Sequence, residues 1–285
     1  MTTAHSKRLL IRWNWQTGRQ EGTLEGRSID DVCVSPDSRF LAAKINSTAL
    51  QVFPLADVFR SPPPEKAELD WNPGGTIRRI EFSPDAHAVA VSFQPDGTES
   101  RPDKQCVWLH GPPDFRRAER VRVPGAKTVA FSPDGSRLAL GRDTGLVLYD
   151  ISTKRILWDR PQTDFASVVF SPDGKLVVTG GVGRLVIVRN TGDGEIRFRL
   201  ASHRARINGF AFSPNSRTLA TASADGVIKL WHVPTGQELF ELRGPATTCD
   251  RLEFAGDGRH LLALIFNPGP DRDEMLVFQA ADRDD

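Results

Sequence analysis

The sequence has no surplus of either charge: 37 Lys and Arg stand against 36 Asp and Glu, a formal net charge of +1 over 285 residues. With that balance and 39% hydrophobic residues, neither charge-driven disorder nor a global attraction to nucleic acid accounts for the chain. It also has no apolar run near the ~18 residues needed to span a bilayer, and residues 1–15 contain no sustained apolar stretch of the kind that heads an exported chain. These absences predict a soluble, cytoplasmic protein with neither a nucleic-acid nor a membrane partner. Cysteine is scarce: Cys33, Cys106 and Cys249 are widely spaced and odd in number. That excludes a disulfide framework, fits a reducing compartment, and leaves each cysteine as a small buried hydrophobe.

The motifs of common chemistries are missing as well. There is no Gly-x-Ser-x-Gly, Walker loop, His-Glu-x-x-His or Cys-x-x-Cys. The six histidines (His5, His87, His110, His203, His232, His260) are scattered along the chain, so the expectation is no metal and no other cofactor. The glycine-rich stretch 179–184 joins two extended segments with no helix after it, and cannot build a phosphate-cradling helix N-terminus. No segment of useful length has the helical period.

What the sequence does contain is a repeat. Val-Ser-Pro-Asp-Ser at 34–38 recurs as Phe-Ser-Pro-Asp-Ala at 82–86, Phe-Ser-Pro-Asp-Gly at 131–135 and 170–174, Phe-Ser-Pro-Asn-Ser at 212–216 and a worn Phe-Ala-Gly-Asp-Gly at 254–258. The spacings are 48, 49, 39, 42 and 42 residues, the period of a propeller blade. An alternating run precedes each core, as at 207–212, and a second follows it, as at 218–224. Alternation at period two means strand. The core between them suits a tight turn: Pro presets φ, Asp bonds its own backbone, and Gly accepts positive φ. A third extended run follows (50–53, 106–109, 146–150, 185–188, 227–232, 275–278), then a Thr-Gly type turn and a fourth, as at 238–244. The prediction is an all-β chain of four-stranded antiparallel sheets, here called blades with strands a to d. Stacked radially, such sheets bury both faces and leave only short edges.

On these residues the chain resembles the WD-repeat β-propellers over essentially its whole length. The fifth repeat is the closest match, with Ser202-His203, the run 218–226, Ile228–Trp231 and Pro234-Thr235-Gly236. The resemblance implies a hydrogen-bonded network of His203, Thr221 or Ser223, Asp225 and Trp231 tying that blade together. Other repeats depart from the pattern. The third keeps Asp143 and has Tyr149-Asp150 in place of Trp-Asp but lacks the histidine; the fourth has Val188-Arg189; the sixth has Phe278. Apolar packing is therefore expected to hold those blades. Phe-Ser-Pro-Asp-Gly also opens repeats of TolB-like and peptidase-associated propellers, but residues 225–237 favour the WD reading.

One propeller domain over 1–285 is expected, with repeat cores near 29–70, 76–124, 126–162, 165–202, 207–245 and 249–280 and an N-terminal partial blade at 8–25. Residues 10–19 align with 228–237, so the chain begins at a third strand, and the tally reaches 25 strands. That number favours a seven-bladed pitch with an incomplete first blade over the rival closed six-bladed ring. It also suggests a module or fragment of a longer polypeptide.

Antiparallel order puts the a–b and c–d turns at one end of each blade and the b–c and d–a loops at the other. The a–b turns are nearly uniform, whereas the b–c connections range from a three-residue turn at 224–226 to the twelve residues 94–105. Variable loops on a rigid scaffold are where binding usually sits. The predicted function is a non-catalytic scaffold that binds a partner protein or peptide through the b–c and d–a face, with Arg27, Arg78, Lys127, Phe165, Arg206 and Arg251 near its rim; arginine and aromatic side chains are enriched where partners anchor. The 56–66 loop, with three prolines, lies at the opposite end. The alternative is a hydrolase or lactonase type propeller enzyme, or a small-ligand binder, using Asp30, Asp31, Asp164 and Asp250 in a central channel. Lys127 and Arg206 occupy comparable places and would neutralise a cation site there.

Overall fold

Each Ser-Pro-Asp core folds into the same turn. In the first, the Ser38 amide donates to the Ser35 carbonyl (2.8 Å) and the Ser35 amide to that of Phe40 (2.9 Å). The Ser35 hydroxyl donates to Asp37 Oδ1 (2.6 Å) and accepts from the amides of Arg39 and Phe40. The hydroxyl-to-acid pairing recurs at Ser83–Asp85, Ser132–Asp134, Ser171–Asp173 and Ser213–Asn215. These serine hydroxyls hold the carboxyls of Asp37, Asp85 and Asp134 below the usual carboxylate range. The fifth residue of every core is left-handed: Ser38 (58°), Ala86 (60°), Gly135 (70°), Gly174 (69°), Ser216 (60°) and Gly258 (67°). Three of the six thus adopt without glycine a conformation that costs an L-residue ~1–2 kcal/mol. Ser38→Gly is expected to stabilise the first unit by about 0.5–1 kcal/mol, the relief of strain less glycine's entropy. Urea unfolding checks this, and an unchanged or lower midpoint would refute it.

The computed structural model describes residues 10–14, 19–24, 29–58, 69–95, 106–111, 115, 117–121, 123–163, 167–201, 203–243, 248–266 and 274–279. They form seven antiparallel sheets. The first is a two-stranded pair, β1 (Leu10–Asn14) and β2 (Arg19–Leu24). Five sheets of four strands follow in chain order. The first of these has β3 (Ile29–Val34), β4 (Phe40–Ile45), β5 (Ala49–Pro54) and β6 (Leu69–Trp71), with the four-residue helical turn α1 (Leu55–Val58) after β5. The next has β7 (Gly75–Phe82), β8 (Val89–Pro95), β9 (Cys106–Gly111) and β10 (Arg117–Val121). The third comprises β11 (Thr128–Phe131), β12 (Arg137–Arg142), β13 (Gly145–Asp150) and β14 (Arg155–Pro161). The fourth is β15 (Ser167–Phe170), β16 (Leu176–Gly180), β17 (Val186–Asn190) and β18 (Ile196–Leu200). The fifth is β19 (Ile207–Phe212), β20 (Thr218–Ser223), β21 (Val227–His232) and β22 (Gln237–Arg243). A three-stranded sheet of β23 (Thr248–Phe254), β24 (His260–Phe266) and β25 (Glu274–Gln279) ends the series. The described residues thus form 25 strands, as the repeats predict, with a half blade first and three strands last. Among them no helix is long and apolar enough to cross a membrane.

The chain divides into two compact units, Met1–Phe131 and Ser132–Asp285, the boundary falling in the third Ser-Pro-Asp turn. Alternation along each strand sends one set of side chains to each neighbouring sheet. In the first unit Ala42, Leu50, Val52 and Leu69 interleave with Ile77, Ile80, Phe82, Val89 and Val91 of the next sheet, around a buried Phe115 that meets Phe40 and Phe82 edge-on. In the second unit β20 shows both sides: Leu219 packs with Leu176, Val178 and Val188 of the sheet before, while Ala220 and Ala222 pack with Leu252, Leu261 and Ala263 of the sheet after.

Candidate interaction surface

Backbone hydrogen bonds separate the two ends of each sheet. At one end, the residue that leaves strand c donates to the a–b turn: Leu55 N to Arg39 O (2.7 Å), Ile151 N to Ser136 O (3.0 Å), Thr191 N to Lys175 O (2.9 Å) and Val233 N to Arg217 O (2.9 Å). At the other end the b–c turns are tied to d–a segments: Ile77 N to Ser47 O (2.6 Å), Gln162 N to Thr144 O (3.3 Å), Ile207 N to Gly181 O (2.9 Å) and Ala224 N to Arg206 O (2.9 Å). This second end carries a feature the sequence reading missed. The first strands of four sheets, β3, β7, β19 and β23, slip register there, leaving Asp30, Arg78, Asn208 and Asp250 as bulge residues. The signal is in the sequence: each bulge puts two polar or small residues in succession (Asp30-Asp31, Arg78-Arg79, Asn208-Gly209, Asp250-Arg251) where strict alternation would not. No register slip accompanies the short β15.

The structure places Arg78 in the β7 bulge, exposed, with its guanidinium donating to Gln94 Oε1. Lys127 is half-buried, and its carbonyl accepts from the Ser92 hydroxyl (2.9 Å). Ser92 and Gln94 both lie on β8, so Arg78 and Lys127 come to the same end of neighbouring sheets in the first unit. Arg206, in the second unit, is exposed, and its carbonyl anchors the b–c turn of its own sheet. Arg251 pairs with Leu264 on β24, its side chain outside the described set. Arg27, Phe165 and Asp164 also lie outside the described residues. Of the remaining acids, Asp30 accepts from the Ser47 hydroxyl (2.8 Å) and Asp31 from the Val32 amide (3.0 Å), each held locally. Among the described residues no three His, Cys, Asp or Glu side chains gather where they could hold a metal ion.

The fifth four-stranded sheet is laced by a chain of polar contacts. Trp231 Nε1 donates to Thr221 Oγ1 (2.9 Å), and that hydroxyl stands 2.7 Å from His203 Nε2. Because the indole can only donate, the Thr221 proton is free to go on to Nε2. His203 Nδ1–H then faces Asp225 Oδ1 at 3.9 Å, an electrostatic contact too long to be a hydrogen bond. Asp225 in turn accepts from the amides of Arg204 (2.9 Å) and Val227 (3.0 Å), which fixes the d–a segment over the b–c turn. Ser223 stays at the edge, its hydroxyl accepting from the Asp225 amide at 3.4 Å, so Thr221 is the hub. Burial pushes the His203 imidazole below its usual range, against the pull of Asp225.

A family match runs from the last strand of the sheet before through the third strand of this one: the WD domain, G-beta repeat profile fits residues 194–232. There the chain carries a WD repeat. It is similar to Protein HIR1 of Kluyveromyces lactis, 28% identical over 173 residues, which cover 50% of this chain and 20% of that protein. A WD repeat-containing protein of Synechocystis is 29% identical over 139 residues (46% of this chain, 39% of that protein). Eukaryotic translation initiation factor 3 subunit I of Pyricularia oryzae is 33% identical over 109 residues (38% and 32%). The matched part of this chain thus spans two fifths or less of each of these relatives.

The fourth repeat corrects the expectation that only apolar packing holds the other blades. Thr179 lies 42 residues before Thr221, and Arg189 lies 42 before Trp231. Gln162, from the loop equivalent to that of His203, donates to Thr179 Oγ1 (2.7 Å). Arg189, only 4% exposed, donates to Gly194 O (3.0 Å), Pro161 O (3.3 Å) and Gln162 Oε1 (3.5 Å). The guanidinium at the tryptophan position thus reaches this threonine only through the Gln162 carboxamide, which stands where the imidazole does in the next sheet. Burial, then the charges of Arg199 and Arg160, depress the Arg189 pKa, while Glu195 supports it.

Proposed function

We propose that this WD-repeat protein is a non-catalytic scaffold, working in the cytoplasm without a cofactor, that engages a partner protein or peptide through the b–c and d–a ends of its blades. The observation that carries the reading is the contrast between the two ends. The a–b turns repeat one geometry copy after copy, while the opposite loops differ in length and charge on strands fixed by hydrogen bonds. Loops held at both ends lose little entropy on docking, and exposed arginines supply local affinity. One relative, by its name, is a subunit of a translation initiation factor, which favours a life in assemblies.

The test is affinity capture from an extract with the intact chain and with Arg78→Glu, Lys127→Glu and Arg206→Glu combined. A tenfold or greater loss of captured protein is expected at unchanged circular dichroism, about 1.4 kcal/mol or more of binding. Capture that survives the three reversals would dismiss this face.

A further inference from the structure

The b–c turn of the fourth four-stranded sheet differs in charge from its neighbours. Residues 182–184 lie 42 positions before 224–226, so Gly183 stands where the fifth sheet has Asp225, and Arg184 where it has Gly226. Counted back from strand c, the third sheet has Asp143 and Thr144 at those two places. In this one turn an acid is missing and a cation is added. Arg184 also keeps a left-handed φ of 58°, where Gly226 has 75°. A Cβ makes that conformation costly, and glycine would relieve it. Strain kept for the sake of a side chain points to a use for that side chain.

The folded chain brings two more arginines to this one. Ile207 N donates to Gly181 O (2.9 Å) and Ala224 N to Arg206 O (2.9 Å), so the d–a segment 203–206 is tied to both turns. Arg184 Nη1 donates to Arg204 O (3.3 Å), which sets its guanidinium against that segment. Arg184, Arg204 and Arg206 are all exposed. Among the described residues no carboxylate pairs with any of their side chains. Asp225 does not answer them, since its two oxygens accept from the backbone amides of Arg204 and Val227. In the same turn as Arg184, Val182 is 68% exposed, more than any other Val, Leu, Ile or Phe among the described residues.

We infer that Val182, Arg184, Arg204 and Arg206 form a docking site for an acidic peptide segment, in which Asp or Glu side chains flank an apolar residue. The inference rests on the reading above that this end of the blades is the interaction face, and it gives the partner its chemistry. The choice follows from charge and shape. Three cations without a counter-charge favour an anionic occupant, and planar guanidinium groups match carboxylates through paired hydrogen bonds. The apolar residue of the peptide covers Val182. The backbone that carries the arginines is already fixed by the bonds just described, so little is left to order on binding.

The probe is the labelled peptide Glu-Asp-Leu-Asp-Glu, titrated with the full chain by fluorescence anisotropy; Gln-Asn-Leu-Asn-Gln, of the same shape without side-chain charge, is the control. The acidic peptide is expected to bind at least tenfold more tightly than the amide peptide and to weaken as salt is raised. Arg204→Gln should cost tenfold or more. Arg184→Gly should cost as much while raising the urea midpoint, a pairing that a merely structural arginine would not give. Arg217→Gln, in the a–b turn at the other end of the fifth sheet, leaves binding unchanged. The inference is overturned if the acidic peptide does not bind, if both peptides bind alike, or if Arg184→Gly and Arg204→Gln leave binding intact. An equal loss in Arg217→Gln would reduce the effect to general charge, and tighter binding of oligothymidylate would assign the site to nucleic acid; either result overturns it. A peptide that does not bind, together with capture lost in the Arg78, Lys127 and Arg206 reversals, would strike this inference and leave the scaffold reading standing.

Discussion

Trp231→Ala is expected to cost the second unit about 3–5 kcal/mol, the usual penalty for emptying a large buried aromatic site. The indole is 4% exposed and packs among Leu176, Val188, Phe210 and Leu219 of two sheets, so the cavity would open between them. Thr221→Val separates the polar contribution from the packing. It keeps shape and volume but leaves Trp231 Nε1 and His203 Nε2 without their shared partner; each orphaned buried group costs ~1–3 kcal/mol, so a loss of about 2–6 kcal/mol follows. Urea unfolding of both variants measures these effects, and a Thr221→Val protein as stable as wild type would show that the network carries no net free energy. The same network predicts an acid response. A histidine whose folded pKa is lowered binds fewer protons in the native state, so its contribution is present above the ordinary value of 6.5 and disappears as pH falls from there through the depressed folded pKa. His203→Gln should flatten this part of the stability profile.

Gly236→Ala carries the second large effect. Gly236 closes the c–d turn of the fifth four-stranded sheet at φ 72°, and an added Cβ would stand 2.5 Å from Phe198 Cδ1 on the neighbouring sheet. The left-handed backbone costs an L-residue ~1–2 kcal/mol and overpacking a further ~1–3 kcal/mol, about 2–5 kcal/mol together. The turn before it is built alike: Gly194 (φ 73°) lies over Trp158, whose Nε1 donates to Thr191 O at 2.8 Å. Gly192 in that same turn is the control, since nothing lies within 4 Å of its Cβ position, and Gly192→Ala should cost well under half as much. Phe198→Leu should rescue part of the Gly236→Ala loss, because the clash term requires both partners. Additive losses in the double variant would leave backbone strain as the whole cause.

Much of this was legible along the chain. The turns are contained in it because their bonds are local: the Ser35 hydroxyl meets groups two, four and five residues on, so Ser-Pro-Asp writes its own geometry wherever it occurs. The left-handed Ser38, Ala86 and Ser216 were not foreseen, since the turn's geometry is imposed even where glycine is missing. His203, Thr221, Asp225 and Trp231 could be named in advance only through the family pattern. Gln162 and Arg189 match no family pattern; the 42-residue spacing aligns Thr179 and Arg189 with Thr221 and Trp231, but only the folded chain brings Gln162 against both.

By itself, the sequence determined the all-β class, the blade period, the number of strands and the chemistry of every a–b turn, because period-two alternation and contacts within five residues need no distant partner. Tertiary structure alone decided that Gln162 links Arg189 to Thr179, and that Ile156 and Leu157 remain in water. The reason is physical: whether a polar group is satisfied, or an apolar one covered, depends on which atoms the neighbouring sheet brings within reach, and that is a property of stacking.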